Sequence, residues 1–369
     1  MASKKKSVSR KPARSKAKKV KAAPRIRKDL LKEYQETIKE SDKQGHRVVE
    51  ALTLADDDCL ANVRTHISTL SLELDRLFNG KGIPTGRVVE IYGPPHIGKS
   101  TLLDHCFASV QQMGGVAVLA DTEGARDSNY TQKIGVDLNT LQYLEFGQDS
   151  MHIENIITKI FETVEFWRAK APEMPVLIGW DALGGTATRD ELEKRLTKEA
   201  RMAGASKVLR AACRQLPTKL GNTNISIVII NHEYEKINVN FGKKKDTYGG
   251  GALRHLASIR AQLYSTGYIK NGAGEILGRE VVAKLVKNRL GNPWGEAKFA
   301  LISGVGIDNV WSVFNRLYEA KIIVKSGSWA AINLDGDELK FQGWSGLVVK
   351  CQEDPTLFPR LVSVYLSLK

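Results

Sequence analysis

The sequence predicts an α/β protein in which a mostly parallel central sheet carries helices on both faces. Residues 88–101 read as a buried strand, a glycine-containing loop and the start of a helix. Apolar runs of strand length, two of them rich in β-branched residues, recur at residues 116–120, 176–180 and 225–230. Segments of helical periodicity separate these runs, and this alternation is typical of a parallel sheet that is covered on both sides.

The individual elements follow from the periodicity of the apolar residues. Helices are expected at residues 29–43, 71–78, 101–113, 153–168 and 198–216. The first of these helices has four apolar residues on one face, namely Leu30, Leu31, Tyr34 and Ile38. After Gly251 the pattern changes, and three further strands are expected to extend the sheet at residues 253–264, 280–286 and 297–302.

Composition indicates two or three domains and an uneven distribution of charge. The chain has 369 residues and a net charge of +14, and residues 1–28 contain 13 Lys and Arg residues and no acidic residue. The rest of the chain is therefore close to neutral. The four cysteines form no C-x-x-C pair, so neither a zinc site nor a disulfide framework is expected. No apolar run reaches about 18 residues, so no membrane span is expected.

Four parts are predicted along the chain. Residues 1–28 form a disordered basic arm, because their composition cannot bury enough apolar surface to order itself. Residues 29–65 contain the N-terminal helix, residues 66–308 form the α/β core, and residues 309–369 form a small α+β domain. The arm is suited to a polyanion such as DNA, although a transit peptide has the same basic and acid-poor chemistry.

Residues 93–101 carry the most specific motif of the chain. They match G-x-x-x-x-G-K-S/T in its strand-loop-helix setting, and the candidate residues are Gly93, Pro94, Pro95, His96, Ile97, Gly98, Lys99, Ser100 and Thr101. Glycines let backbone N–H groups close around phosphate oxygens, and the helix N-terminus favours the same anion. Lys99 is expected to reach the β- and γ-phosphates of ATP, and the Ser100 hydroxyl is expected to bind Mg²⁺.

Three polar side chains follow predicted strands and are candidates for the chemistry. Asp181 ends an apolar strand and is interpreted as a ligand of the Mg²⁺ shell, with a helix cap as the alternative. Glu123 follows the strand at residues 116–120 and can activate a water molecule, but a solvated loop acid is an equal alternative. His232 can sense the γ-phosphate, although a histidine at a strand end is often only a satisfied polar residue.

Two basic segments are candidates for DNA binding. Residues 233–251 combine glycine, lysine and apolar side chains in the way that suits single-stranded nucleic acid, and their candidates are Lys236, Ile237, Phe241, Lys243, Lys244, Lys245, Gly249 and Gly250. A weaker group consists of Lys194, Arg195, Lys198 and Arg201. The alternatives are a surface loop for the first segment and a solvated helix face for the second. Lys287 and Arg289 lie on alternating strand positions and so share one face.

Four segments of the chain resemble signatures of the bacterial RecA recombinase family and occur in the same order as in that family. They are residues 71–75, 86–94, 248–253 and 286–289. The resemblance spans about residues 29–369 and implies a RecA-like phosphate-loop ATPase core with ATP and Mg²⁺ as cofactors. It also implies a recombinase that polymerises on single-stranded DNA and catalyses homologous pairing and strand exchange with double-stranded DNA. Hydrolysis of ATP would be stimulated by DNA and would take place at subunit interfaces of a helical filament.

The same resemblance assigns roles to individual residues. It implies that Glu123 is the catalytic carboxylate, that Tyr130 stacks on adenine, and that Lys287 and Arg289 reach the ATP of a neighbouring subunit. Residues 191–203 and 233–250 match the two DNA-binding loops. The N-terminal helix matches the segment that docks on the adjacent protomer, and single-strand-binding or mediator proteins are further candidate partners.

The chain departs from the bacterial pattern at two site positions. His232 stands where bacterial members carry glutamine, and Arg289 stands where they carry a second lysine. These departures and the basic arm indicate a divergent member, for example one encoded by a phage, that acts in the cytoplasm of a bacterial or phage-infected cell. Targeting to an organelle by the arm stays open. The alternatives to a recombinase are a hexameric DnaB-like helicase and a non-enzymatic DNA-coating protein.

Overall fold

The computed structural model describes residues 28–41, 47–49, 51–52, 54–57, 59–147, 149–193, 203–235 and 245–368. Its α-helices are α1 (Lys28–Ile38), α2 (Leu72–Leu77), α3 (Lys99–Gln112), α4 (Ser128–Ile134), α5 (Ile153–Lys170), α6 (Arg189–Glu193), α7 (Ala203–Leu220), α8 (Gly250–Leu256), α9 (Asn309–Glu319), α10 (Gly343–Glu353) and α11 (Leu357–Ser367). Leu183–Gly185 form a short 3-10 helix.

In the described ranges the strands fall into one large sheet and three small ones. They are β1 (Glu40–Ser41), β2 (Arg47–Val49), β3 (His66–Ile67), β4 (Ile83–Pro84), β5 (Val88–Gly93), β6 (Val116–Asp121), β7 (Gln142–Tyr143), β8 (Val176–Asp181), β9 (Ile225–Glu235), β10 (Lys245–Thr247), β11 (Ile259–Lys270), β12 (Ile276–Asn288), β13 (Glu296–Ile302), β14 (Gly306–Asp308), β15 (Val324–Ser326), β16 (Trp329–Leu334) and β17 (Asp337–Gln342).

The chain divides into a small unit that ends at Asp56 and a large unit from Asp57 to Lys369. The small unit contains α1 and the antiparallel pair β1–β2. The helix expected at residues 29–43 is therefore present, but it ends at Ile38 because the chain enters β1 at Glu40, whose pairing with Val49 replaces helical hydrogen bonds. No helix of the described ranges is long and apolar enough to cross a membrane.

The large sheet is mostly parallel, as the sequence predicts. Its strand order is β14-β13-β12-β11-β5-β9-β8-β6-β7, and β10 pairs with β9. The run from β11 to β7 is parallel throughout, whereas β10, β12, β13 and β14 join antiparallel. The carboxyl ends of β5, β6, β8 and β9 therefore meet at one edge of the sheet, where ligands bind in open α/β proteins.

Two apolar cores cover the faces of this sheet, because successive side chains of a strand point to opposite sides. Val89 and Ile91 of β5 belong to the core that includes α3. Val88 belongs to the other core, which includes buried residues of α5 and α7. The predicted α/β class with helices on both faces is confirmed.

One predicted strand boundary is wrong. Residues 253–256 belong to α8, and the strand β11 begins only at Ile259. Gly249 adopts a left-handed conformation with φ 83° and caps the helix, and the fully buried Leu253 packs in the core. The glycine run therefore starts a helix, and the short apolar pattern after it does not distinguish a helix from a strand.

The C-terminal region forms an α+β layer with its own core. The sheet β15–β16–β17 is antiparallel. Phe314 of α9, Phe341 of β17 and Leu361 of α11 are buried together there. The expected small α+β domain is therefore present.

Candidate nucleotide-binding site

The phosphate loop connects β5 to α3 at the carboxyl edge of the sheet. Gly93 ends β5, and Lys99 begins α3. A Cβ on Gly93 would lie 2.4 Å from the carbonyl oxygen of Leu263, so this position requires glycine. Gly98 has φ 92° and His96 has φ 57°, both in the left-handed region. The loop therefore has the backbone form that the motif predicts.

Lys99 lies folded back on this loop. Its side chain is buried, and Nζ donates hydrogen bonds to the carbonyl oxygens of Gly93, at 3.2 Å, and Pro94, at 2.8 Å. Burial lowers the pKa of the ammonium, while the carboxylates of Asp181 and Glu123 oppose this effect. The amine therefore lies within the phosphate loop, where a bound phosphate could replace the two carbonyl oxygens as its partner.

The carboxylate of Asp181 lies beside the start of α3. Asp181 ends β8, directly opposite Asp121 at the end of the neighbouring strand β6. The Asp181 carboxylate accepts a hydrogen bond from the Ser100 side chain, and burial raises the pKa of this carboxyl group. Two hard oxygen donors, a hydroxyl and a carboxylate, are therefore adjacent, which is the donor chemistry that suits Mg²⁺.

Arg126 is a site residue that the sequence did not reveal. Its guanidinium pairs with Asp104 and donates from Nη2 to Oδ2 of Asp181 at 2.7 Å. Burial raises the pKa of Asp104 to about 6, with Arg126 opposing the shift. Asp104 lies four residues after Ser100 on α3, and this spacing places both on one helix face. No sequence motif predicts Arg126, because its two partners belong to α3 and β8, which are far apart in the sequence.

Glu123 and His232 meet at the same edge. The Asp121 carboxylate accepts the backbone N–H groups of Glu123, at 3.0 Å, and Gly124, at 3.1 Å, and so fixes the turn after β6. Oε1 of Glu123 lies 2.6 Å from Nε2 of His232. His232 belongs to β9, where it lies opposite Gly93 of the phosphate loop. The two side chains are therefore side by side next to the loop.

A cleft of about 320 Å³ opens between these elements. Residues from the phosphate-loop helix, from the turn after β6 and from α4 line it: Ser100, Thr101, Asp104, Asp121, Glu123, Ala125, Arg126, Asp127, Tyr130, Thr131 and Asp181. Tyr130 is thus in the cleft, whereas Ile97 is buried in the core and Pro95 and His96 are exposed. Carboxylates, hydroxyls and a guanidinium therefore share the cleft with the ring of Tyr130, a combination that suits the phosphates and the base of a nucleotide.

Lys287 and Arg289 do not line this cleft. Nζ of Lys287 donates to the carbonyl oxygens of Arg254, at 2.7 Å, and His255, at 2.9 Å, at the end of α8. Burial, together with Arg289 and Arg260, lowers the pKa of Lys287 to about 8. Arg289 borders a separate cleft of about 490 Å³. Within one chain, the two cations are therefore kept apart from the phosphate loop.

Most of the candidate DNA-binding residues lie outside the described residues. These are Lys194, Arg195, Lys198, Arg201, Lys236, Ile237, Phe241, Lys243 and Lys244. Lys245 is described and exposed, and Gly249 and Gly250 both have positive φ. The rings of Tyr234 and Tyr248, on either side of residues 236–244, lie 5.0 Å apart between centroids.

Comparisons with known proteins identify the family. Residues 32–308 match the model of the RecA N-terminal domain. The chain is 33% identical over 284 residues to Protein RecA of Delftia acidovorans, covering 76% of this chain and 73% of that protein. It is 34% identical over 265 residues to Protein RecA of Chlamydia trachomatis serovar L2, covering 71% and 72%. Protein RecA of Cytophaga hutchinsonii is 33% identical over 312 residues, covering 84% and 83%.

These matches favour a recombinase over the hexameric helicase and the DNA-coating protein. They support, in general terms, a DNA-dependent ATPase that uses nucleotide and Mg²⁺, binds DNA and assembles with copies of itself. The phosphate loop, the polar edge of the sheet and the matched relatives all agree on this point. The chain belongs to the RecA family of ATP-dependent DNA strand-exchange proteins.

Proposed function

We propose that this protein binds ATP in the cleft beside the phosphate loop and completes the site with Lys287 and Arg289 of an adjacent protomer. The observation that carries the proposal is the division of the site. Lys99, Asp181 and Glu123 are together at the edge of the sheet. Lys287 lies on β12, two strands away from β5, and Arg289 follows directly after β12. A neighbouring copy in a head-to-tail polymer can bring such a surface to the cleft.

The residues of the cleft fit ATP and Mg²⁺. Backbone N–H groups of residues 93–101 would hold the phosphates, which requires the close approach that Gly93 and Gly98 allow. Ser100 and Asp181 would hold Mg²⁺, directly or through water, and Tyr130 would contact the adenine. Bound Mg²⁺ would neutralise charge that develops on the phosphates.

Glu123 is the proposed general base. Its carboxylate would orient the attacking water and accept its proton, once the contact with His232 is released. Lys99 would exchange its carbonyl partners for phosphate oxygens. Lys287 and Arg289 would add positive charge from the neighbouring protomer, and such cations contribute about 10³-fold or more in related phosphoryl-transfer sites.

The proposed coupling to DNA passes through His232. His232 lies opposite Gly93 of the phosphate loop and directly precedes residues 233–250. We propose that these residues and residues 191–203 are the two segments that bind DNA. Release of His232 from Glu123 would link the γ-phosphate to the conformation of that segment. We also propose that residues 1–28 add contacts to DNA phosphates. The proposed domain boundaries of the chain follow residues 28, 65 and 308.

Mixing two inactive variants tests the shared site. Lys99→Ala removes the phosphate contact of a protomer but keeps its cations, and the double variant Lys287→Ala/Arg289→Ala does the reverse. Each is expected to lack DNA-stimulated ATPase. In a one-to-one mixture about a quarter of head-to-tail interfaces would be intact, so a corresponding part of the activity should return.

The matched control mixes Lys99→Ala with Glu123→Gln. Both changes damage the half-site that one protomer supplies, so no interface in this mixture is intact and no activity should return. Recovery in the control, or full stimulation in the Lys287→Ala/Arg289→Ala variant alone, would contradict a shared site. The assay is ATP hydrolysis with and without single-stranded DNA.

A further inference from the structure

A buried ion pair lies in the centre of the sheet, outside the cleft. Glu90 of β5 is fully buried, and Arg260 of β11 is 6% exposed. The two residues lie opposite each other on neighbouring parallel strands, and Nε of Arg260 donates to Oε2 of Glu90. Removing two charges from water costs more than such a pair usually returns, so an apolar pair would stabilise the sheet at least as well. A gain in stability therefore does not by itself explain this pair.

The buried pair also holds Asn231, the residue that precedes His232. Nδ2 of Asn231 donates to Oε1 of Glu90 at 2.9 Å, and Asn231 is fully buried. Oδ1 of Asn231 accepts the backbone N–H of His232, also at 2.9 Å. The carboxylate of Glu90 therefore fixes the point at which β9 passes the phosphate loop.

A second set of hydrogen bonds in this network holds Thr247 and Tyr248. Nδ2 of Asn231 also donates to the carbonyl oxygen of Tyr248 at 2.9 Å. Nη2 of Arg260 donates to Oγ1 of the buried Thr247 at 3.1 Å. The guanidinium of Arg260 lies over the ring of Tyr92 at 4.9 Å, two residues after Glu90 on the same strand.

We propose that Glu90, Asn231 and Arg260 form a positioning network that couples the phosphate loop to the chain at His232 and at residues 247–248. The network holds these two points against β5, the strand that ends in the phosphate loop three residues after Glu90. Fully satisfied polar networks of this kind fix one geometry, because each alternative leaves a buried polar group without a partner. A shift of β5 is therefore transmitted to both points, and a shift of either point is transmitted to β5.

The inference rests on the proposed function, because it needs a DNA-binding segment and a nucleotide that affect each other. Thermodynamic linkage makes the effect reciprocal: if DNA tightens nucleotide binding by some factor, nucleotide tightens DNA binding by the same factor. The coupling can therefore be measured from binding alone. Affinities for a non-hydrolysable ATP analogue and for oligo(dT) are measured, each with and without the other ligand.

Glu90→Gln is the primary variant, because it keeps the size of the side chain and an acceptor for Asn231 but removes the charge opposite Arg260. Coupling in the wild type is expected to lie in the range of about 5- to 150-fold and to fall to within about twofold of unity in this variant. The affinity for the ATP analogue without DNA should stay within about twofold of the wild type, since the cleft does not include Glu90.

Loss of folding is controlled in two ways. The double variant Glu90→Gln/Arg260→Met removes both charges, so it should regain thermal stability without regaining coupling. Glu73→Gln changes a second buried carboxylate, which accepts from Nη2 of Arg76 at 2.7 Å and from the hydroxyl of Tyr365 at 2.9 Å. It should lower stability but keep the coupling of the wild type.

The outcomes separate the network from the function. Wild-type coupling in Glu90→Gln, or equal loss of coupling in Glu73→Gln, would overturn the network while leaving the shared nucleotide site intact. A wild type in which neither ligand affects the other would overturn the proposed function, and the network with it. Loss of coupling in both Glu90 variants, together with its retention in Glu73→Gln, supports the proposal.

Discussion

Nε2 of His232 lies 2.6 Å from Oε1 of Glu123, so the candidate γ-phosphate sensor and the candidate general base are each other's partner. In this arrangement the carboxylate is engaged and is not free to accept a proton from water. The contact spans 109 positions of sequence and joins the turn after β6 to β9. A nucleotide that attracts the imidazole would release the base.

The first prediction concerns the contact between His232 and Glu123. We expect the nucleotide to draw the imidazole away from the carboxylate, so the side chain at position 232 has to offer a hydrogen-bond donor to the γ-phosphate. His232→Gln keeps an N–H donor, whereas His232→Ala has none.

ATP hydrolysis with and without saturating single-stranded DNA checks the prediction. His232→Gln should keep the stimulation by DNA, whereas His232→Ala should lose it because no donor remains. His66→Gln is a matched control, since His66 lies in β3 outside the cleft. Undiminished stimulation in His232→Ala would contradict the role of the imidazole.

The second prediction concerns Arg126, which neutralises two buried carboxylates. Arg126→Met would leave Asp104 and Asp181 without this cation, and breaking a buried pair in this way costs about 3–5 kcal/mol of unfolding free energy. The pKa of Asp104 is already raised to about 6, so its folded form binds more protons than its unfolded form. The loss should therefore be large at neutral pH and smaller at acidic pH, where Asp104 is protonated.

Chemical denaturation at neutral and mildly acidic pH measures this difference. Arg64→Met is the control, because Arg64 pairs with the exposed Glu173 at 2.8 Å. A surface pair of this kind contributes about 0–1 kcal/mol, so the control should change little at either pH. An equal loss for Arg126→Met at both pH values would show that Asp104 does not carry the effect.

The sequence was informative where one local motif defines a feature. The loop at residues 93–101 and the strand-end residues Asp181 and Glu123 could be predicted because a strand, a turn and a helix start are all local. Asp104 could have been added, since it lies one helical turn after Ser100. These features need no knowledge of strand order.

The remaining features depend on strand order, which the sequence does not define. Glu90 stands out as a charge in an apolar strand, but its partner Arg260 is 170 positions away and is identified only once β11 is known to lie beside β5. Arg126 has the same difficulty, because its two partners come from α3 and β8. The strand predicted at residues 253–264 failed at its start, where the glycine run caps a helix.

The third prediction concerns the basic side of the pH profile. Burial, Arg289 and Arg260 lower the pKa of Lys287 to about 8 in the free protein. If its charge acts on the ATP of a neighbour, stimulated kcat/KM should fall about tenfold between pH 7 and pH 9, since kcat/KM reports the free enzyme. Lys287→Arg should remove this decline, because arginine stays protonated.

Steady-state ATP hydrolysis at low ATP and saturating DNA provides the profile. Lys284→Arg is the control, because Lys284 lies on the same strand, is exposed and pairs with Glu296 at 2.9 Å. The control should keep the decline of the wild type. A decline of the same size in Lys287→Arg would remove Lys287 as its cause.

The fourth prediction concerns His105, a buried residue of α3 behind the phosphate loop. Nε2 of His105 accepts the backbone N–H of Ile307 at 2.9 Å, and burial lowers the pKa of the imidazole to about 4. The folded protein therefore keeps His105 neutral, while the unfolded chain takes up a proton below the ordinary value of 6.5. Stability should rise with pH between these two values, by at most about 1.4 kcal/mol per pH unit from this residue.

Unfolding free energies measured across this window test the assignment. His105→Gln keeps an acceptor for Ile307 and cannot titrate, so its stability should depend less on pH than that of the wild type. His255→Gln is the control, since His255 is exposed and should leave the slope unchanged. The slope of unfolding free energy against pH decides the test, because His105→Gln also changes the packing against Gly306 and with it the absolute stability. This packing is tight, since a Cβ on Gly306 would lie 2.5 Å from Nε2 of His105. A wild-type slope in His105→Gln would mean that other groups cause the pH dependence.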